Sequence, residues 1–200
     1  MMRFFWLGYL SLVLAAGVAY PQAAEGSISA GRSIFTDKTI GDLGVQGAVR
    51  NTLKVGDGFR ITARFSINSW RFLGHEFGYG FERSALDFGS GGKTGMNVHQ
   101  GFYDFLAHAT PEGTSLRPFV CAGAGFSSFF PPGVSAFSGN GFTKVGYNYG
   151  GGVKVKLSPL YGVRFDLRDY VSGKPFGDFI PNVKGRLHNV EVSAGIAILF

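Results

Sequence analysis

The last fourteen residues, "LHNVEVSAGIAILF" (187–200), constrain the fold more than any other stretch. Val190, Val192, Ala194, Ile196, Ile198 and Phe200 are all apolar. Between them, Asn189, Glu191, Ser193, Gly195 and Ala197 are small or polar, with Leu199 the one exception. This two-residue period belongs to a strand with one apolar and one polar face. A free edge of that length and apolarity would template aggregation. Pairing on both sides removes the hazard, and closing a barrel achieves it. The apolar face then looks either into a soluble core or out at lipid.

Composition supports strands. The 200 residues include 32 Gly, 21 Phe and 8 Tyr, with only 16% charged. Glycine at about twice its usual share, with many aromatics, favours closely packed strands over helices. The start reads as a leader: Met1-Met2-Arg3 is a positive n-region, followed by the apolar run "FFWLGYLSLVLAAGVA". A signal peptide over 1–24 is expected, cut after Ala19 or Ala24, with a barrel domain over 25–200. Beyond it nothing approaches the roughly 18 unbroken apolar residues of a spanning helix. Loss of Arg3 lowers the net charge of +6 by one. An exported chain without a basic run is not expected to bind nucleic acid. The single cysteine, Cys121, excludes an internal disulfide framework.

Strands are expected near 26–34, 58–68, 75–88, 98–109, 117–130, 143–157, 161–171 and 187–200. The connections 69–74, 110–116 and 158–160 are short, while 35–57, 89–97, 131–142 and 172–186 are mostly longer. Short turns at one rim and long loops at the other are the asymmetry of outer-membrane barrels. "LGVQGAV" at 43–49 reads as either a ninth segment or a loop hairpin. The fold class is therefore all-β, a closed antiparallel eight-stranded transmembrane barrel.

Parity sets the environment. In 58–68, Phe59, Ile61, Ala63, Phe65 and Ile67 oppose Arg60, Thr62, Arg64, Ser66 and Asn68. In 161–171, Tyr161, Val163, Phe165 and Leu167 oppose Arg164, Asp166 and Arg168. A soluble barrel would turn the apolar set inward. Two features argue against that. Eight aromatic faces carry more bulk than an eight-stranded interior holds. The polar faces also nearly balance in charge: Arg60, Arg64, Lys154, Lys156, Arg164 and Arg168 against Glu76, Glu82, Asp104, Asp166 and Glu191. A closed lumen needs that balance, because an isolated buried charge is costly. Arg32, Arg83 and Asp169 break parity towards the lipid side near the outer strand ends, where a charge costs little. Arg32 and Arg83 are candidates for contact with lipid phosphate.

On these features the chain resembles the small OmpA/OmpX-type outer-membrane β-barrel family, which includes the opacity-type adhesins. The residues that carry the likeness are the leader, the alternating strands, "RPFVCAGAGF" and the terminal "VEVSAGIAILF". The resemblance implies that Val192, Ala194, Ile196, Ile198 and Phe200 form an insertion signal read by the outer-membrane assembly machinery. It also implies outer-membrane lipid or lipopolysaccharide as the surroundings. The tethering domain of longer relatives is not expected here, since the barrel runs to Phe200.

Catalytic chemistry finds little support. His75, His99, His108 and His188 are scattered, and His188 lacks the serine two residues on that a lipid A deacylase carries; hydrogen bonding at the rims is the expected role of the four. One cysteine and dispersed histidines give no zinc spacing, so no metal or cofactor is expected. The loops at 131–142 and 172–186, with Phe137, Phe142, Phe176 and Phe179, either bind an extracellular partner or pack over the barrel mouth. The expected function is that of a monomeric, non-enzymatic outer-membrane protein with a plugged polar lumen. Its long loops serve adhesion, lipid contact or envelope integrity. A narrow diffusion pore is the alternative, and a lipid-modifying enzyme a third.

Overall fold

The computed structural model describes residues 24–46, 49–134, 141–177, 180 and 183–200. The expected leader, apart from Ala24, and the loop residues Phe137 and Phe179 lie outside the described residues. In chain order the strands are β1 (Ala24–Thr36), β2 (Thr39–Gln46), β3 (Val49–Val55), β4 (Gly58–Asn68) and β5 (Leu73–Asp87). They continue with β6 (Lys93–His108), β7 (Leu116–Phe130), β8 (Phe142–Lys156), β9 (Tyr161–Gly173) and β10 (Arg186–Leu199). Eight of them, β1 and β4 to β10, form a closed antiparallel barrel. β1 pairs with both β4 and β10, and β5 pairs with β6, so the wall has no free edge.

The final strand behaves as its alternation requires. Ile28 of β1 sits opposite Ile196 of β10, which in turn faces Val163 of β9. The Phe200 N–H donates to the Ala24 carbonyl at 2.9 Å, so pairing runs to the last residue. Ile196 is 68% and Phe165 51% exposed, while Arg164 and Glu191 are at 0%. The aromatic and aliphatic face is therefore the outer wall, and the ionic face is interior. No helix among the described residues is long and apolar enough to cross a membrane.

Of the two readings of 43–49, the loop hairpin holds and the ninth wall strand does not. β2 and β3 form a hairpin that meets the barrel rim only through Lys54↔Asp87 and Val55↔Leu86. The loop expected at 89–97 is mostly strand, because β5 and β6 stay in register out to Asp87↔Lys93. Only Phe88–Gly92, with a short 3-10 turn at Gly89–Gly91, remains as connection. The polar and glycine-rich "GSGGKTGMN" lacks strand alternation, and it is cross-strand pairing that extends it.

Two glycines show how tightly the interior is filled. At Gly78 on β5, a Cβ would fall inside the Phe102 ring; at Gly80 it would meet the Arg60 guanidinium. Each glycine gives up its side chain so that a larger one from another strand can enter the lumen.

Candidate functional site: the barrel interior

Inward-facing side chains from all eight wall strands fill the interior. Its main layer is ionic. Arg64 bonds Glu191 at 2.6 Å and approaches Glu76 at 3.6 Å. Arg164 bonds Glu76 at 3.0 Å, Asp166 at 2.8 Å and Glu25 at 3.2 Å. Arg168 reaches Glu76 and Asp104, each at 2.6 Å, and Asp166 at 2.9 Å. Arg60 pairs with Glu191 at 3.1 Å, and Lys154 with Glu25 at 2.8 Å. Glu82 is held by Asn189 Nδ2 at 2.8 Å rather than by a guanidinium.

Aromatic rings interleave with these charges. The Arg60 guanidinium lies 4.3 Å from the centre of the Tyr170 ring, whose hydroxyl donates to Glu191 at 2.9 Å. Phe102 lies beneath Arg64 and Arg168, and Phe119 beneath Lys154 and Arg164. A ring face is attractive to a cation, so these groups fill space without adding unpaired polarity.

Ten of the eleven residues expected to line the lumen are buried in this layer. Lys156 is not: it is half-buried at the short-turn mouth, with no ion pair among the described residues. Two interior charges escaped the sequence reading. Glu25 lies at the expected leader boundary, before any alternation is established. Arg117 opens β7 and binds Asn68 Oδ1 at 3.0 Å, near Glu112. With them, six cationic and six acidic side chains are buried among the described residues: Arg60, Arg64, Arg117, Lys154, Arg164 and Arg168 against Glu25, Glu76, Glu82, Asp104, Asp166 and Glu191.

At the long-loop end the interior turns apolar. Phe35, Met96, Val98, Phe129, Leu86 and Leu187 point inward there and pack with Ile40, Leu53 and Val55 of the hairpin. Phe176 and Ile180 of the β9–β10 loop complete the cluster, and Phe142 meets Phe176 edge-on at 4.8 Å between ring centres. Phe176 adopts left-handed backbone (φ 68°) to place its ring. Lys174 clips this loop to the hairpin through Asp37 (2.9 Å) and the Thr39 carbonyl (2.8 Å). An apolar cap therefore closes the outer mouth above the ionic layer.

The histidines divide. His75 bonds the Tyr103 hydroxyl at 2.6 Å, His99 bonds Tyr79, and His188 bonds Asp169 at 2.7 Å, all on the outer wall. His108 departs from the expected hydrogen-bonding role: it is buried at the short-turn end against Phe119, and neither ring nitrogen finds a partner among the described residues. Arg32 and Arg83 are exposed on the outer wall, both level in register with Phe59 between them. Val192, Ala194, Ile196, Ile198 and Phe200 all project outward.

Among solved structures, Neisserial surface protein A is 13% identical, with a TM-score of 0.63, covering 89% of this chain and 97% of that one. The N-terminal β-barrel domain of Pseudomonas aeruginosa OprF is 12% identical, with a TM-score of 0.53, covering 90% and 98%. The outer membrane protein OprG from Pseudomonas aeruginosa is 13% identical, with a TM-score of 0.50, covering 89% and 94%. At such identities the likeness is one of fold. No curated protein sequence matches. The outer membrane protein beta-barrel domain family matches residues 10–196. With its closed eight-stranded wall and lipid-facing apolar surface, the chain belongs to that family and is a small β-barrel of the cell outer membrane.

Proposed function

We propose that this barrel is closed to solutes and works by what it presents, not by what it conducts or converts. The observation that carries this reading is the Arg168–Glu76 ion pair, which spans the lumen under an apolar cap. To admit ions, that network would have to exchange paired, buried charges for unpaired ones, at several kcal/mol each. The surface left for function is the outer wall and the loops around the capped mouth. These support a structural or interactive role in adhesion, lipid contact or envelope integrity, as a monomer and without catalysis.

Three finer assignments accompany this reading. Arg32 and Arg83 contact lipid phosphates beside Phe59. Phe59 lies eight residues, ~26 Å of strand, from Ile67 at the short-turn end of β4. That distance places the arginines towards the outer interface, where a charge is tolerated. The outward row Val192, Ala194, Ile196, Ile198 and Phe200 serves as the insertion signal read by the assembly machinery. The N-terminal leader is cleaved after Ala19, the one of the two expected sites that leaves Ala24 in β1 to accept from the Phe200 N–H.

Conductance of the purified protein across a planar bilayer tests the central claim. A silent bilayer is expected, and steady single-channel openings would replace this reading with a diffusion pore. For catalysis the corresponding check is the lipid A mass spectrum on overexpression, which should not change.

A further inference from the structure

Five arginines are buried among the described residues, and four of them form an ion pair with at least one carboxylate. Arg117 is the exception. It is 7% exposed, and it donates to neutral oxygens, Asn68 Oδ1 at 3.0 Å and the Arg71 carbonyl at 3.4 Å. Each terminal nitrogen of Arg117 makes one of these bonds and keeps a second proton. Glu112, on the neighbouring turn, accepts from Asn68 Nδ2 at 3.2 Å and forms no ion pair with Arg117. A buried guanidinium without a counter-charge is costly.

Arg117 lines a cavity of about 40 Å³ at the short-turn mouth of the barrel, together with Glu25, Asn68, Thr114, Lys154 and Lys156. That is roughly three times the space one water needs, enough for a small oxyanion. Glu25 is the one acid in this lining, and it is already shared by Lys154 at 2.8 Å and Arg164 at 3.2 Å. Arg117 and Lys154 are direct cross-strand partners, and like charges so placed repel. Lys156 follows two residues on along the same face of β8. It is half-buried, so the aqueous side can reach it, and it has no ion pair among the described residues. Three cations thus surround a small space whose single acid is already engaged.

We infer that this inner mouth binds a phosphate group between the Arg117 guanidinium and the Lys156 ammonium. Its negative charge offsets the repulsion between Arg117 and Lys154, and its oxygens accept the protons that no carboxylate takes. The cavity has room for the phosphate alone, so anything that carries the group extends out through the mouth. The site is independent of whether the lumen conducts.

Equilibrium dialysis of radiolabelled inorganic phosphate against the full chain folded in dodecyl maltoside tests it. Saturable binding of one phosphate per chain is expected. Lys156→Gln should weaken it about tenfold or more, the size of a hydrogen bond to a charged group. Arg117→Gln should do the same, while Lys93→Gln, exposed at the opposite mouth, should leave binding unchanged. Faster migration of unboiled samples confirms that each variant is a closed barrel. Dimyristoylphosphatidylglycerol added to the micelles separates two sources of the group. Displacement of the label assigns the site to a lipid head, and retention assigns it to the free ion; either result upholds a phosphate site. Absence of saturable binding by the parent protein overturns the inference. Binding that Lys156→Gln leaves unweakened overturns it too, as does a matching loss in Lys93→Gln.

Discussion

Arg168 on β9 donates to Glu76 on β5 at 2.6 Å, and these two strands stand opposite each other in the eight-stranded ring. Two residues 92 positions apart thus meet across the full diameter of the barrel. Glu76 also takes Arg164 at 3.0 Å and the Ser66 hydroxyl at 2.7 Å, which makes it the acidic hub of the interior.

Removing that hub should therefore be costly. Glu76→Ala leaves Arg164 and Arg168 short of a counter-charge in a closed space, and a loss of about 3–5 kcal/mol is expected. Lys156→Ala, at the mouth and outside the network, should change little. Urea unfolding of both variants in the same lipid checks the contrast. Equal midpoints would mean that the ion pairs do not hold the wall together.

Packing inside the lumen predicts a rescue. Gly78→Ala forces its methyl into the Phe102 ring, and overpacking of this kind costs about 1–3 kcal/mol. Phe102→Leu frees the space, so the double variant should be more stable than the sum of the two single losses implies. A double-mutant cycle on unfolding free energies measures the coupling, and simple additivity would contradict the contact.

Facing predicts the effect of a charge at the middle of the wall. Leu167, 57% exposed, projects outward from the centre of β9. Leu167→Arg should destabilise the barrel in lipid by about 2–4 kcal/mol, as expected for a cation at the midplane. Unchanged unfolding energy would place this face away from hydrocarbon.

Assembly depends on the chain end in the insertion-signal proposal. Phe200→Ser keeps the backbone bond to Ala24 but removes the outward ring. Outer-membrane levels of this variant should fall, and normal levels would refute the signal.

Acid should loosen the outer mouth. Burial alone would raise the Asp57 pKa, but the Lys38 ammonium and the Phe35 N–H, bonded at 3.0 Å, hold it below the ordinary value of 3.8. A carboxyl lowered in the folded state adds stability above its unfolded pKa, and that stability fades as pH falls through the folded value. Protection of the β2 and β3 amides, relative to their intrinsic exchange rates at each pH, should thus fall in the parent below about pH 4. Asp57→Asn should be less protected already at neutral pH, with little further loss on acidification. Identical pH profiles would remove Asp57 from this role.

Which side chains share a face was legible in the sequence because parity is a local property. A strand alternates sides every residue, so Arg164, Asp166 and Arg168 fall together whatever else the chain does. The near-balance of charge was legible for the same reason, and with the bulk of the aromatic faces it indicated that the polar side is enclosed. The hairpin at β2 and β3 was legible only as one of two readings of 43–49, because its strands carry glycines and a weak period. Phe35, Met96 and Phe129 share the inward parity of the ionic residues yet form an apolar cap. Only the folding of the hairpin and the Phe176 loop over the mouth explains that change of layer.

By itself, then, the sequence determined a closed wall with its apolar side outermost, since alternation and charge balance are written residue by residue. Tertiary structure decided which acid meets which base, that Glu25 joins the ionic layer while Lys156 does not, and that Asp169 and His188 meet on the outer wall. Those pairings follow from the register and closure of the barrel, which bring distant strands to the same level. No single strand encodes that geometry.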